Sequence, residues 1–278
     1  MHPAVIGLTL SAAVLHAMWN ALLRSGGDRL WSVTVMSFVT TAVAIPAALL
    51  LPAPLPGCWS YIAISAVLQV AYGIFLAYAY RHGELTQIYP VIRGSVPLLV
   101  ALGGLLLASQ RLSRPGLLGL FMVSAGITSL ALGKDRISPR GLVLALATAL
   151  FVACYVVADG IGVRLAGNAQ SYVAWIFLTY GVLLPPATLL LRRPSTVHLR
   201  RGETARAMAG GILSIMSYGA MVAALSLGKL GPVSALRETS VIFSMLMGRL
   251  LLGEPLTRRR IVTGTVVAIG AACIGYEA

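Results

Sequence analysis

Apolar runs, each about 20 residues long and following one another with little between them, constrain this chain more than any other feature. Charged residues and Pro/Gly clusters divide it into runs near 3–23, 30–51, 59–80, 85–107, 115–133, 140–159, 170–191, 206–227, 231–252 and 260–276. Each has the length an α-helix needs to cross a bilayer, and almost nothing remains outside. Only 10% of the residues are charged and 58% are hydrophobic, whereas a soluble domain needs about 25% charged residues to cover its surface. The apolar content excludes disorder, and three cysteines in 278 residues exclude a disulfide scaffold. The expected fold class is therefore an all-α integral membrane protein with ten transmembrane helices. The first run has no basic leader and holds His16, Trp19 and Asn20 in its interior, so it is read as a mature span and not a cleaved signal.

The formal charge of +13 reads as membrane orientation, because no separate soluble domain could form a basic groove for nucleic acid. Fourteen basic residues fall on one side: Arg24, Arg29, Arg81, Lys134, Arg136, Arg140, Arg192, Arg193, Arg200, Arg201, Arg206, Arg258, Arg259 and Arg260. Four fall on the other: Arg111, Arg114, Arg164 and Lys229. The richer side is cytoplasmic by the positive-inside rule, which places both termini externally. Cys58, Cys154 and Cys273 are isolated and read as small apolar fillers; no metal or cofactor is expected.

The chain also repeats itself. An offset of 144 positions superposes Arg93 on Arg237, Leu102 on Leu246, Gly104 on Gly248, Leu106 and Leu107 on Leu250 and Leu251, and Leu112 on Leu256. Arg114 on Arg258, Val123 on Val267 and Gly126 on Gly270 follow without a gap. Nine identities exceed the roughly three or four that such a composition gives by chance. The matched runs are the fourth and fifth with the ninth and tenth, so residues 1–133 and 140–278 form two five-helix repeats joined by a linker at 134–139. An odd number of crossings inverts the second repeat, and inverted repeats place a substrate site near the midplane between the halves.

The stretch Leu251-Leu252-Gly253-Glu254-Pro255-Leu256 ends one glycine-rich run and opens another. It resembles the signature of EamA-type members of the drug/metabolite transporter superfamily. Two five-helix repeats, a short chain and Trp19 in the first run are similar to that family over essentially the whole chain. The resemblance implies a ten-helix carrier that exchanges small metabolites across a bacterial-type inner membrane by alternating access, and it names no substrate. The first repeat departs from the pattern, since Gln110 in Ala108-Ser109-Gln110-Arg111-Leu112 stands where Glu254 stands in the second.

Ionisable groups inside hydrocarbon are costly and need a partner or a wet cavity. The fourth run has Tyr89 and Arg93 on one helical face, bracketed by Pro90 and Pro97, which free backbone carbonyls. Arg93 either lines a cavity or pairs with Glu238. The ninth run brings Ser234, Arg237 and Glu238 close together, with Arg237 and Glu238 roughly 100° apart around the helix. In the first run His16, Trp19 and Asn20 share a face. His16 either carries a coupling proton or makes a packing hydrogen bond. Tyr155 and Asp159 are one turn apart in the sixth run, with Asp159 at its end, where it faces water. Gln69 and Tyr72 in the third run and Ser217 and Tyr218 in the eighth add polar faces, while Tyr172 and Trp175 read as an interfacial aromatic belt.

The expected function is a secondary carrier, an exporter in the light of the family resemblance, for a small polar metabolite with an anionic group, such as an amino acid or organic acid. Substrate binding is expected at Arg93, Arg237, Tyr89, Trp19, Asn20, Tyr72, Tyr155, Tyr218 and Ser234, with His16 and Glu238 as the coupling and charge-pair residues. Arg93 and Arg237 against Glu238 leave one positive charge for the substrate to neutralise. No phosphate-binding loop of the Gly-rich Lys-Ser/Thr kind occurs, so a gradient, with a proton or another ion, would drive movement. The expected partners are the small-molecule substrate and membrane lipid. Alternatives are multidrug cation efflux, which calls for an unpaired carboxylate that the first run lacks, and movement of a lipid phosphate headgroup. An intramembrane enzyme is disfavoured because His16 is the only deep histidine and no His-Glu-x-x-His or Gly-x-Ser-x-Gly motif occurs.

Overall fold

A computed structural model of the protein describes residues 1–24, 29–79, 82, 85–131, 137–191, 201–252 and 257–276. Among them the chain is helical without a strand. The helices are α1 (Pro3–Arg24), α2 (Arg29–Leu50), α3 (Trp59–Ala79), α4 (Leu85–Ala108), α5 (Arg114–Ser129), α6 (Pro139–Leu165), α7 (Ala169–Leu191), α8 (Arg201–Leu227), α9 (Leu230–Arg237), α10 (Ser240–Leu252) and α11 (Arg258–Gly275). Among the described residues, α1, α2, α3, α4, α6 and α8 are long and apolar enough to cross a membrane. Large apolar side chains face outward, with Leu49 and Leu50 more than 80% exposed, as a lipid-facing exterior requires.

Two expectations are corrected. The run at 140–159 continues to Leu165 as α6, which carries Asp159 about a turn and a half inside the helix rather than at its end. The run at 231–252 is broken: α9 stops at Arg237 and α10 starts at Ser240. Between them the backbone tightens to i→i−3 bonding, from Glu238 N–H to the Ala235 carbonyl at 3.1 Å and from Thr239 N–H to the Leu236 carbonyl at 3.2 Å. The Thr239 hydroxyl donates to the same Leu236 carbonyl at 2.8 Å. Polar side chains that bond the local backbone compete with the α-helical ladder, and here they interrupt it. By contrast α4 runs unbroken through Pro90 and Pro97.

The packing of the helices follows the repeat. α1 packs on α8 as α6 packs on α3, α2 packs on α8 as α7 packs on α3, and α4 packs on α6 as α9 and α10 pack on α1. Three contacts map onto themselves, α2 with α7, α4 with α9 and α5 with α11. Advancing every helix by one repeat therefore exchanges the halves. Local structure repeats too: Ser113 caps α5 by accepting from Gly116 N–H at 3.2 Å, and its counterpart Thr257 caps α11 by accepting from Arg260 N–H at 3.4 Å. At the α5–α11 crossing a Cβ on Gly270 would stand 2.8 Å from the Gly119 carbonyl oxygen, so these backbones touch only because Gly270 has none.

Hydrogen bonds between the connections group the helix ends. The Met1 ammonium donates to the Gly275 carbonyl at 3.1 Å, Leu55 N–H to the Ala166 carbonyl at 3.2 Å, and Leu230 N–H to the Gln110 side-chain oxygen at 2.8 Å. Arg164 donates to the Leu225 carbonyl at 3.1 Å and also to that of Gly228. On the other face Ser138 donates to the His82 carbonyl at 2.7 Å, and Arg259 donates to that of Ser129. Each bond joins ends that an alternating path puts on one face. The linker expected at 134–139 lies outside the described residues up to 136, as do Gly253, Glu254, Pro255 and Leu256 of the signature.

Candidate functional site

The two repeat-equivalent arginines meet on one side chain. From α4, Arg93 Nη2 donates to His16 Nε2 of α1 at 2.6 Å, and from α9, Arg237 Nη2 lies 3.3 Å from His16 Nδ1. Arg93, Arg237 and His16 are all buried. A neutral imidazole offers a single lone pair, so accepting from Arg93 turns an N–H, not an acceptor, towards Arg237. Arg237 is left under-satisfied, and its buried Nε has no hydrogen-bond partner.

Glu238, at the break between α9 and α10, pairs with Arg93 across the repeats, with 3.2 Å between Nε and Oε2. The angle is not that of a hydrogen bond, so both atoms remain unbonded in that sense. The pairing reading of Arg93 is thus the one observed, and Arg237 keeps no carboxylate partner among the described residues. Around this centre Trp19 meets the His16 ring edge-on at 4.9 Å, Tyr89 lies under the Arg93 guanidinium at 5.6 Å, and the Tyr72 and Tyr155 rings are 6.3 Å apart. Tyr155 also hydrogen-bonds Arg237. Ser234 is buried on α9. Asn20 turns to its own helix instead, donating to the His16 carbonyl at 2.8 Å.

A second polar cluster lies one turn further along α6. Asp159, expected to face water, is 1% exposed. The Tyr172 hydroxyl donates to its Oδ1 at 3.3 Å, and the Tyr218 hydroxyl donates to Oδ2. Gln69 in turn donates to the Tyr218 oxygen and to Ser65 Oγ, each at 3.1 Å. Among the described residues no salt bridge reaches Asp159. Tyr172 is wholly buried and belongs to this cluster, not to an interfacial belt. Trp175 packs edge-on against Trp59 at 4.8 Å. The signal for Asp159 was its spacing from Tyr155, one turn on a helix that continues past it through Gly160 and Gly162. With Asp159 counted, two guanidiniums face two carboxylates, so the excess positive charge expected from Arg93, Arg237 and Glu238 disappears while Asp159 is ionised.

Residues 139–276, the second repeat, match the model of the EamA-like transporter family. The chain belongs to the EamA-like transporter family. An EamA-type chain is a multi-pass membrane transporter, and its cargo is a small molecule moved within a lipid environment. A protein of known crystal structure superposes on this EamA-type chain with a TM-score of 0.80 over 98% of its residues and 96% of the other chain, at 20% identity. That likeness establishes the fold. No curated protein matches the sequence.

Proposed function

We propose that the protein is a secondary carrier, working by alternating access in a bacterial-type inner membrane, for a small polar metabolite with a carboxylate, such as an amino acid or organic acid. Arg237 carries this reading. It is a buried guanidinium with an unbonded Nε, no carboxylate partner among the described residues, and aromatic and imidazole neighbours in Tyr155 and His16. Guanidinium presents a fork of donors that matches a carboxylate. Export is the direction the family resemblance favours. A thermal-shift screen of purified protein against amino acids, organic acids and phosphonates tests the class, with stabilisation by carboxylates expected and stabilisation by phosphonates alone counting against it.

Multidrug cation efflux has one observation in its favour, the buried Asp159 held by tyrosines without a basic partner. Quaternary ammonium compounds belong in the same screen. If they alone stabilise the protein, and Asp159→Asn abolishes the effect, that reading replaces the first.

A further inference from the structure

Asp159 sits six residues before the end of α6, roughly 9 Å along the axis from the face that carries Arg164. A carboxylate in such a place is held by a cation, by a proton or by hydrogen bonds alone, and among the described residues no basic side chain pairs with it. Three hydroxyls serve it: Tyr172 reaches Oδ1 at 3.3 Å, Tyr218 holds Oδ2 closely, and Ser65 of α3 also donates to the carboxylate. A carboxylate can only accept, so both phenols spend their hydrogens on it and turn their lone pairs elsewhere. Donors of that kind do not form an oxygen cage for a metal cation. They leave room for a proton on Oδ1, with the Tyr172 oxygen as its acceptor once that phenol rotates.

We propose that Asp159 is the carrier's coupling-proton site: Oδ1 takes a proton from water on one side of the membrane and releases it to water on the other as the carrier alternates, and the charge on Asp159 sets how strongly Arg237 holds an anion. This rests on the carboxylate reading of Arg237. The link is Tyr155, one turn before Asp159 on α6 and hydrogen-bonded to Arg237 of α9. Arg237 also acts on Asp159 directly through its charge. The other groups around the site are Tyr172 from α7, Tyr218 from α8, and Ser65 and Gln69 from α3. Arg93 of α4 acts on Tyr155, and Cys58, beside α3, on Tyr172. None is a second carboxylate. With Asp159 ionised the two guanidiniums are balanced; a proton there leaves Arg237 in excess, so anion and proton favour each other's binding reciprocally. They then cross together, and a cell that accumulates the anion releases it as the acid.

Infrared difference spectra of the purified protein in lipid, recorded against pH, test the site without any substrate. A protonated-carboxyl C=O band is expected on acidification, absent in Asp159→Asn and retained in Glu238→Gln. Tyr218→Phe keeps the carboxyl but removes a donor, so it should retain the band at a changed frequency. Arg237→Gln should move the pH at which the band appears. A band absent from the wild type, or unchanged in Asp159→Asn, overturns the proton site; an unmoved midpoint in Arg237→Gln overturns the link. Proteoliposomes given a labelled mixture of L-amino acids and dicarboxylates separate the two readings. A titrating band with none of the mixture carried removes the anion reading and leaves the proton site, whereas carriage without the band does the reverse.

Discussion

At the scale of single residues, the interior is a set of charges whose worth depends on who faces whom. Glu238 forms an ion pair with Arg93, so removing one partner leaves an uncompensated buried charge, which costs about 3–5 kcal/mol. Arg93→Met or Glu238→Leu alone should therefore lower the melting temperature strongly in detergent or lipid, and the double variant should recover most of the loss. A double variant as unstable as the singles would mean that the pair is not the relevant interaction. Under the proposed function Arg237 should behave differently, its partner there being the substrate. Arg237→Lys should fold normally and bind the stabilising carboxylate more weakly, since a point charge replaces a fork. Arg237→Ala should cost about 2–5 kcal/mol of binding if the substrate carboxylate is left buried and unpaired. Isothermal titration of both variants with that carboxylate checks the order, and equal affinities across wild type, Lys and Ala would take Arg237 out of the site.

Helix ends explain a departure that the residue pattern left open. Gln110 stands where the second repeat has the signature glutamate, and its side-chain oxygen accepts from Leu230 N–H at 2.8 Å, capping the start of α9 from the α4–α5 connection. Accepting that bond needs an oxygen and no charge, so glutamine serves in this half. Gln110→Glu should preserve stability, while Gln110→Ala should cost about 1–2 kcal/mol by orphaning a donor at the helix start. Melting curves of the two variants test this, and equal losses in both would rule the cap out. The site is built at the other end of the same short helix, where the chain gives up α-helical bonding at Glu238 and Thr239.

Across the whole molecule, the hydrogen bonds between connections sort the ends into two faces, and the arginine count predicts which of them faces the cytoplasm. A single cysteine replacing Arg111 should react with an impermeant thiol reagent on intact cells, and one replacing Arg259 should be protected until the membrane is opened, with native cysteines removed in both. The opposite pattern would invert the protein. The exchange of halves seen in the packing brings Arg93 and Arg237 onto one histidine from opposite repeats. The same relation does not generate the Asp159 cluster, because α1, the counterpart of α6, carries no carboxylate. The two halves thus share a scaffold and divide the chemistry.

What the sequence determined by itself was the all-α class, the extent of most helices to within a few residues and the family, because each follows from local transfer energies and spacing along one chain. The convergence of Arg93 and Arg237 was also legible, since equivalent positions in an inverted pair must approach a common axis. Only the tertiary structure decided that Glu238 pairs with Arg93, that Asn20 bonds its own helix, and that Asp159 and Tyr172 lie inside. A polar side chain within a span has several neighbouring helices to face, and rotation about the helix axis, set by packing against all of them, is not encoded in its own run of residues. Asp159 illustrates the limit. A charge near the edge of an apolar run marks the water boundary when the helix stops there, and an interior site when the next helices close over it, as α7 and α8 do with Tyr172 and Tyr218.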